Sequence, residues 1–166
     1  MKKAYLASLL GLTALSLTAT TSWAQCSNST LNGTYAFTVH GQSVTVAADG
    51  SSFTSTGLID GVGQINFDGN GNLTQHDYIV KNGTLVPGGA TDESGFHTGE
   101  TGTYTLNGDC TGTAHIVLGP GNERFLQLVI ADNGRSAHGI TSRSIVNGSP
   151  ATLQVYSDFQ KLEARR

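Results

Sequence analysis

The chain of 166 residues has 9 basic and 12 acidic side chains, and its charged fraction of 13% is about half the usual ~25%. No Lys or Arg occurs between Cys26 and Val80, so the chain lacks the basic face with which a nucleic-acid-binding protein neutralises phosphates. The polar surface must come from Thr, Ser, Asn and Gly, a composition that suits exported β-proteins.

The first 24 residues have the three parts of a secretory signal peptide. Two lysines precede an apolar run from Tyr5 to Leu17, and Ser22-Trp23-Ala24 places small residues where a signal peptidase cuts. At roughly 13 residues the run is shorter than the ~20 of a membrane-spanning helix, and an uncleaved N-terminal anchor is the alternative. We predict cleavage after Ala24 and one secreted or periplasmic domain over residues 25–166, without membrane insertion.

Both cysteines, Cys26 and Cys110, lie in the part that is predicted to be exported. An even pair in an oxidising compartment predicts a disulfide, and two buried reduced thiols are the alternative. The bond would close a loop of 84 residues, which the chain-entropy model values at up to about 4.5 kcal/mol.

Alternation of apolar and polar residues, the signal of a strand, dominates the mature chain. Tyr35, Phe37 and Val39 share one face, and Phe125 to Ile130 form a denser apolar run. Eight or nine such strands with short connections favour a barrel or a sandwich. We predict an all-β fold, one antiparallel barrel of about eight strands, mostly up-and-down. Closure leaves no exposed edge, and this chain has little Lys or Pro to protect one.

Three other segments are assigned from their local patterns. Residues 67–74, FDGNGNLT, begin like a calcium loop, but Leu73 and Ile79 replace its required Gly and Glu. A hairpin turn is therefore predicted, with a weak surface ion site as the alternative. Residues 86–100 are predicted to be a mobile surface loop whose acids, Glu100 included, form a solvated cluster; a carboxylate pair for glycoside hydrolysis is the alternative. Residues 157–166, a short polar tail, are the best helix candidate.

No histidine has the HxH or HExxH spacing of a local metal site, so neither a metal nor a cofactor is predicted. The histidines are interpreted as isolated side chains on solvated strand faces. The alternative is that His76, His115 and His138 converge in a barrel from separate strands, near Asp77 or Glu123, to form an acid–base or metal site. No Gly-x-Ser-x-Gly nucleophile elbow is present.

The arginines at positions 124, 135 and 143 flank predicted strands of one hairpin. They are interpreted as solubilising strand ends. An anion-binding rim is the alternative.

Three motifs occur in order along the chain: GTYAF at 33–37, FDGNGN at 67–72 and GTYTLNGDCTG at 102–112. Together with the leading Cys26 they resemble a group of small exported bacterial β-barrel proteins over most of the mature chain. The resemblance implies that Cys26 pairs with Cys110 and that the barrel is of lipocalin-like or allene-oxide-cyclase-like architecture. It implies no particular activity and no catalytic residues, because architecture does not fix function.

A barrel of about eight strands is filled by side chains or holds one small ligand. The first hypothesis is a binding protein for a small apolar molecule; the alternatives are an isomerase or cyclase acting on an apolar substrate, and a non-catalytic surface or matrix protein. An inward-facing histidine beside an acid would favour the enzyme, and a dry, filled interior the surface protein. The predicted ligand-lining residues, which would otherwise fill the core, are Tyr35, Phe37, Ile65, Phe67, His115, Leu126, Leu128 and His138.

Overall fold

The structure is a computed structural model that describes residues 25–163; the predicted signal peptide, residues 1–24, lies outside this part. The described residues form ten strands and two short 3-10 turns, at Asn28–Thr30 and Asp132–Gly134. The strands are β1 (Asn32–Val46), β2 (Phe53–Asp68), β3 (Asn72–Lys81), β4 (Thr84–Leu85), β5 (His97–Leu106), β6 (Thr111–Gly119), β7 (Asn122–Ala131), β8 (Ser136–Val146), β9 (Ser149–Ala151) and β10 (Leu153–Lys161).

Antiparallel pairing joins eight of these strands into a closed ring. The order is β10-β1-β2-β3-β5-β6-β7-β8, and β10 pairs with β8 as well as with β1. The short strands β4 and β9 lie outside the ring, against β3 and β8. The predicted all-β barrel of about eight strands is confirmed. Among residues 25–163, no helix has the length and hydropathy needed to span a bilayer.

Two local predictions are wrong. Residues 153–161 form β10 instead of leading into a C-terminal helix, and every second residue in the middle of this strand is buried. Their alternation continues the barrel, which outweighs the weak helix signal at the end of the chain. The loop predicted at 86–100 ends earlier, because β5 begins at His97.

The segment FDGNGNLT contains the turn between β2 and β3. Asp68 Oδ1 accepts hydrogen bonds from the backbone N–H groups of Asn70 (2.7 Å) and Asn72 (2.9 Å), and Oδ2 accepts one from the Asn72 side chain (2.8 Å). The side-chain bond and the backbone bonds lower the pKa of Asp68. Gly69 and Gly71 supply the positive φ of a tight turn, 77° and 106°. The carboxylate therefore serves the hairpin itself, as predicted.

The Cys26–Cys110 disulfide joins the segment before β1 to the turn before β6, with the two Cα atoms 4.9 Å apart. The end of the barrel that contains this bond is named the disulfide end, and its other turns lie at 69–71 and 132–135. The opposite end is named the loop end, and its connections are 47–52, 82–96, 120–121 and 147–152. The two ends have different interiors.

Aromatic side chains fill the interior at the disulfide end. The Phe67 ring lies edge-on to Tyr35 and to Tyr104, with ring centroids 5.4 Å and 5.0 Å apart. The Tyr104 hydroxyl donates to the Leu31 carbonyl oxygen (2.8 Å), and the Tyr35 hydroxyl donates to the Gly134 carbonyl oxygen. Both buried hydroxyls are thus paired, so this end is a packed core with its polar groups satisfied.

Gly134 and Gly148 form a matched test of how closely the chain packs at the disulfide end. Both have positive φ, 82° and 75°, but a Cβ at Gly134 would overlap the Thr30 carbonyl oxygen, whereas one at Gly148 would meet nothing within 4 Å. We expect Gly148→Ala to cost about 1–2 kcal/mol for the left-handed backbone and Gly134→Ala about 1–3 kcal/mol more for the overlap. Urea unfolding measures the difference, and equal losses would contradict the close approach.

Candidate functional site

Polar and charged side chains point into the barrel toward the loop end. Alternate residues of a strand face opposite sides of the sheet, so β3, which buries Leu73, also buries Gln75 and Asp77. On β7, Arg124 lies two positions before the buried Leu126, and both side chains line the same cavity. The strand pattern alone therefore brings an amide, a carboxylate and a guanidinium inside.

A bulge in β5 lets two further side chains of that strand face inward together. Gln75 pairs with Glu100 and Asp77 pairs with His97, so β5 has one residue more than β3 between these two pairs. Gly99 in the bulge has a φ of +76°, which glycine adopts at little cost. His97 and Glu100 consequently both face the interior although they are three residues apart, and they are only 3% and 2% exposed.

One hydrogen-bonded network joins four of these groups. Gln75 Nε2 donates to Asp77 Oδ2 (3.0 Å) and to Glu100 Oε2 (2.9 Å). The other Asp77 oxygen, Oδ1, lies 3.0 Å from His97 Nδ1. A carboxylate can only accept, so Nδ1 carries the hydrogen, and the neutral imidazole keeps a free lone pair on Nε2. The arrangement makes His97 a base that Asp77 orients.

Burial and charge repulsion place a proton on Glu100. Desolvation, followed by repulsion from Asp77, raises the pKa of Glu100 to about 8. Desolvation also raises the pKa of Asp77, but the hydrogen bonds from His97 and Gln75 oppose that rise. Glu100 therefore holds a proton at neutral pH. Desolvation lowers the pKa of Arg124 against the attraction of both acids, and the guanidinium stays charged.

A cavity of about 70 Å³ adjoins these groups. Val86, Pro87 and Gly88, from the connection between β4 and β5, form part of its wall. A Cβ at Gly88 would lie 2.8 Å from His97 Nε2, so only the missing side chain lets this backbone lie against the imidazole. Most of the remaining wall is apolar and includes Phe37, Ile79, Ile116, Leu118, Leu126 and Phe159.

Asp77, His97 and Glu100 together could hold a divalent cation, since one ligand atom from each lies within 4.8 Å of the others. The sequence did not reveal this set of residues, because they form no local metal motif. Separate strand positions and a bulge bring the three side chains together. Gln75 donates a hydrogen bond to each carboxylate, and Arg124 attracts both electrostatically. The protein's own donors thus satisfy these acids, and proton chemistry accounts for the arrangement.

Two of the eight predicted ligand-lining residues, Phe37 and Leu126, line the cavity. Four others belong to the packed core and are absent from the cavity wall; they are Tyr35, Ile65, Phe67 and Leu128. The remaining two, His115 and His138, are outside the barrel. The structure therefore brings two of the eight side chains to the site.

The alternative in which His76, His115 and His138 converge is not found. Each of them alternates with buried neighbours on its strand and so faces outward. His115 Nε2 lies 2.8 Å from Glu123 Oε2, and His138 Nδ1 lies 2.6 Å from Asp158 Oδ1, in partly exposed cross-strand pairs. These histidines occupy solvated strand faces, as they were interpreted from the sequence, so the placement of His115 and His138 among the ligand-lining residues is wrong.

The interpretations of Glu100 as part of a solvated loop cluster and of Arg124 as a solubilising strand end are both wrong. Glu100 is buried in β5, whereas Asp92 and Glu93 remain exposed in the loop. Arg124 lines the cavity, whereas Arg143 lies outside, over the Phe125 ring. The key residues of the site are thus Asp77, His97, Glu100 and Arg124.

Comparison with known proteins found no relative. No protein-family model, no curated protein and no solved structure matches the chain. The resemblance to small exported bacterial barrels stays a prediction, and the function has to be argued from the geometry of the site.

The pH dependence of stability tests the protonation of Glu100. Its folded pKa of about 8 lies above the reference value of 4.5, so the folded protein binds a proton that the unfolded chain releases between these values. The contribution of Glu100 to stability should be complete below about pH 4.5 and fall toward pH 8, by up to about 1.4 kcal/mol per pH unit. Glu100→Gln should remove this slope, measured by urea unfolding at a series of pH values. Parallel profiles for the two proteins would contradict the assignment.

Proposed function

We propose that this protein is an acid–base enzyme of the isomerase type that acts on a small carbonyl compound inside the loop end of the barrel. The proposal rests on His97, which is buried, held by Asp77 and placed with the protonated Glu100 at an apolar cavity. Burying charged groups costs several kcal/mol per ion, and such perturbed groups concentrate at functional sites. The disulfide end of the same barrel is filled with apolar side chains, so the fold itself does not require buried charged groups.

The residues support a proton transfer at a carbon next to a carbonyl group. His97 Nε2 takes the proton, and the electron pair of the broken C–H bond moves toward the carbonyl oxygen, to which Glu100 gives its own proton. Asp77 stabilises the imidazolium that forms and keeps its orientation. Return of the proton from His97 to a different carbon of the conjugated enol, and of the enol proton from oxygen to Glu100, completes the isomerisation and restores both side chains.

The size of the cavity limits the substrate. Its volume of about 70 Å³ is about half that of the ~150 Å³ cavity that accommodates benzene in another protein. The substrate is accordingly no larger than benzene, with at most about six non-hydrogen atoms, and its apolar part contacts the wall.

The proposed location is outside the cytoplasm. The Cys26–Cys110 disulfide is typical of an oxidising compartment. Together with the predicted signal peptide it supports a secreted or periplasmic enzyme.

Binding of a small apolar molecule without chemistry is the second candidate function. The Gly88 backbone lies against His97 Nε2, so this conformation covers the nitrogen that must reach a substrate proton. A binding protein needs no such access. The polar, partly hollow interior gives less support to a surface or matrix protein, for which a filled barrel was expected.

Deuterium exchange at the methyl groups of acetone and pyruvate, in D₂O at neutral pH, tests the proton transfer without the natural substrate. The wild-type protein should accelerate exchange in at least one compound, and His97→Gln should lose about 100-fold or more of that rate, because the base is gone. The rate should also fall above about pH 8 as Glu100 loses its proton. Proton NMR follows the loss of the methyl signal.

His138→Gln is the matched control, since it removes a histidine–aspartate pair on the outer face of the same barrel. This variant should keep the full exchange rate. Exchange no faster than in buffer, or the same loss in both variants, would contradict the enzymatic proposal.

A further inference from the structure

Three buried side-chain atoms on β7 and β8 have no hydrogen-bond partner. They are the buried side-chain atoms in this state within residues 25–163: Arg124 Nη1, Thr141 Oγ1 and Ser144 Oγ. Arg124 lies opposite Ser144 in the β7–β8 ladder, and Thr141 lies opposite Leu126. Arg124 and Thr141 also line the cavity. Buried polar groups without a partner are rare in folded proteins, and here three of them lie on two neighbouring strands.

A bulge in β8 creates this arrangement. Phe125 pairs with Arg143 and Leu126 pairs with Thr141, so Ser142 is an extra residue on β8. Thr141 and Ser144 therefore both face the interior although they are three residues apart. Regular alternation would have turned one of these two hydroxyls to solvent.

The guanidinium of Arg124 lacks an acceptor of its own. Asp77 and Glu100 attract it through space, yet no ion pair joins it to either acid in the described part of the chain. A buried donor without an acceptor destabilises the fold, whereas an apolar side chain of similar shape would not. The group is therefore poorly explained as a structural element and well suited to an acceptor that arrives with a ligand.

We propose that Arg124, Thr141 and Ser144 bind a carboxylate group, and that the ligand of the cavity is a short organic carboxylate. This inference rests on the proposed function, because it concerns the same cavity. The planar fork of a guanidinium donates two parallel hydrogen bonds to a carboxylate, and each hydroxyl can donate one more. A neutral alcohol or amide cannot accept all of these bonds.

The charges around the cavity agree with an anionic ligand. Glu100 holds its proton at neutral pH, so a ligand in the cavity meets the positive Arg124 and no negative charge at Glu100. His97 and Glu100 lie on β5, two strands from β7 in the ring, and line the same cavity. A carboxylate held by β7 and β8 leaves the rest of the molecule in the space that the acid and the base share.

Titration of the ¹⁵N-labelled protein with propionate and with propionamide compares nearly the same shape with and without the charge. We expect the wild type to bind propionate about tenfold or more tightly than propionamide. Arg124→Met should remove this preference. Arg143→Met is the matched control, because this arginine lies on the outer face of the neighbouring strand, with Cζ 4.7 Å from the Phe125 ring centroid, and it should keep the preference.

Thr141→Val provides a second variant that does not depend on the folding of Arg124→Met. Valine has nearly the shape of threonine and removes a buried hydroxyl without a partner, so the urea midpoint should hold or rise. Propionate binding should weaken about threefold or more, while propionamide binding changes less. A threonine with only a structural role would lose stability and leave propionate affinity unchanged, which would overturn its part in the site.

The outcomes separate this inference from the proposed function. Equal affinities for propionate and propionamide, or a preference that survives Arg124→Met, would overturn the carboxylate site and leave the proposed proton transfer standing. Binding of neither compound would overturn the carboxylate site, and the deuterium exchange would then decide the proposed function separately. Propionate selectivity without catalysed deuterium exchange would support the carboxylate site and overturn the enzymatic function.

Discussion

Pairing of β10 with both β1 and β8 removes every free edge of the main sheet. Around a closed ring, each strand sends alternate residues into an interior of fixed size, and a polar side chain at such a position cannot turn to solvent past an edge. Gln75 and Arg124 are fixed inside because their cross-strand neighbours are Glu100 and Ile116, which are themselves buried. Closure of the barrel thus holds a few inward-facing polar residues together in one cluster, and this cluster forms the candidate site.

The disulfide end of the barrel contributes stability, and the loop end contains the candidate site. At the disulfide end, Phe67 packs against two tyrosines whose hydroxyls are paired, and the Cys26–Cys110 bond contributes up to about 4.5 kcal/mol. At the loop end, buried groups such as Arg124 Nη1 and Thr141 Oγ1 lack partners, and each such group costs about 1–3 kcal/mol. A domain whose total stability is about 5–15 kcal/mol can retain these groups only because the other end offsets them.

The alternation of residues along the strands was sufficient to predict the barrel and part of its interior, and it also indicates inward positions that were not predicted. Leu126 and Leu128 were predicted to face inward, and the same period of two places Arg124 inward. Likewise Tyr104 and Leu106 place Glu100 inside. Because long charged side chains generally prefer the surface, both charged residues were instead predicted to be exposed to solvent, and both predictions are wrong.

His97 and one of the two hydroxyl residues, Thr141 and Ser144, could not be predicted to face inward, because their orientation depends on bulges. His97 and Glu100 are three residues apart, so a regular strand would turn them to opposite faces, and His97 faces inward only because of the extra residue beside Gly99. Ser142 is the corresponding extra residue between Thr141 and Ser144. A lone Gly or Ser in a strand does not identify a bulge, since it is equally compatible with regular pairing. Both bulges lie next to residues that the strand period already places inside. The regular barrel supplies two carboxyl groups and a guanidinium, and the two departures from regularity add the base and a second hydroxyl.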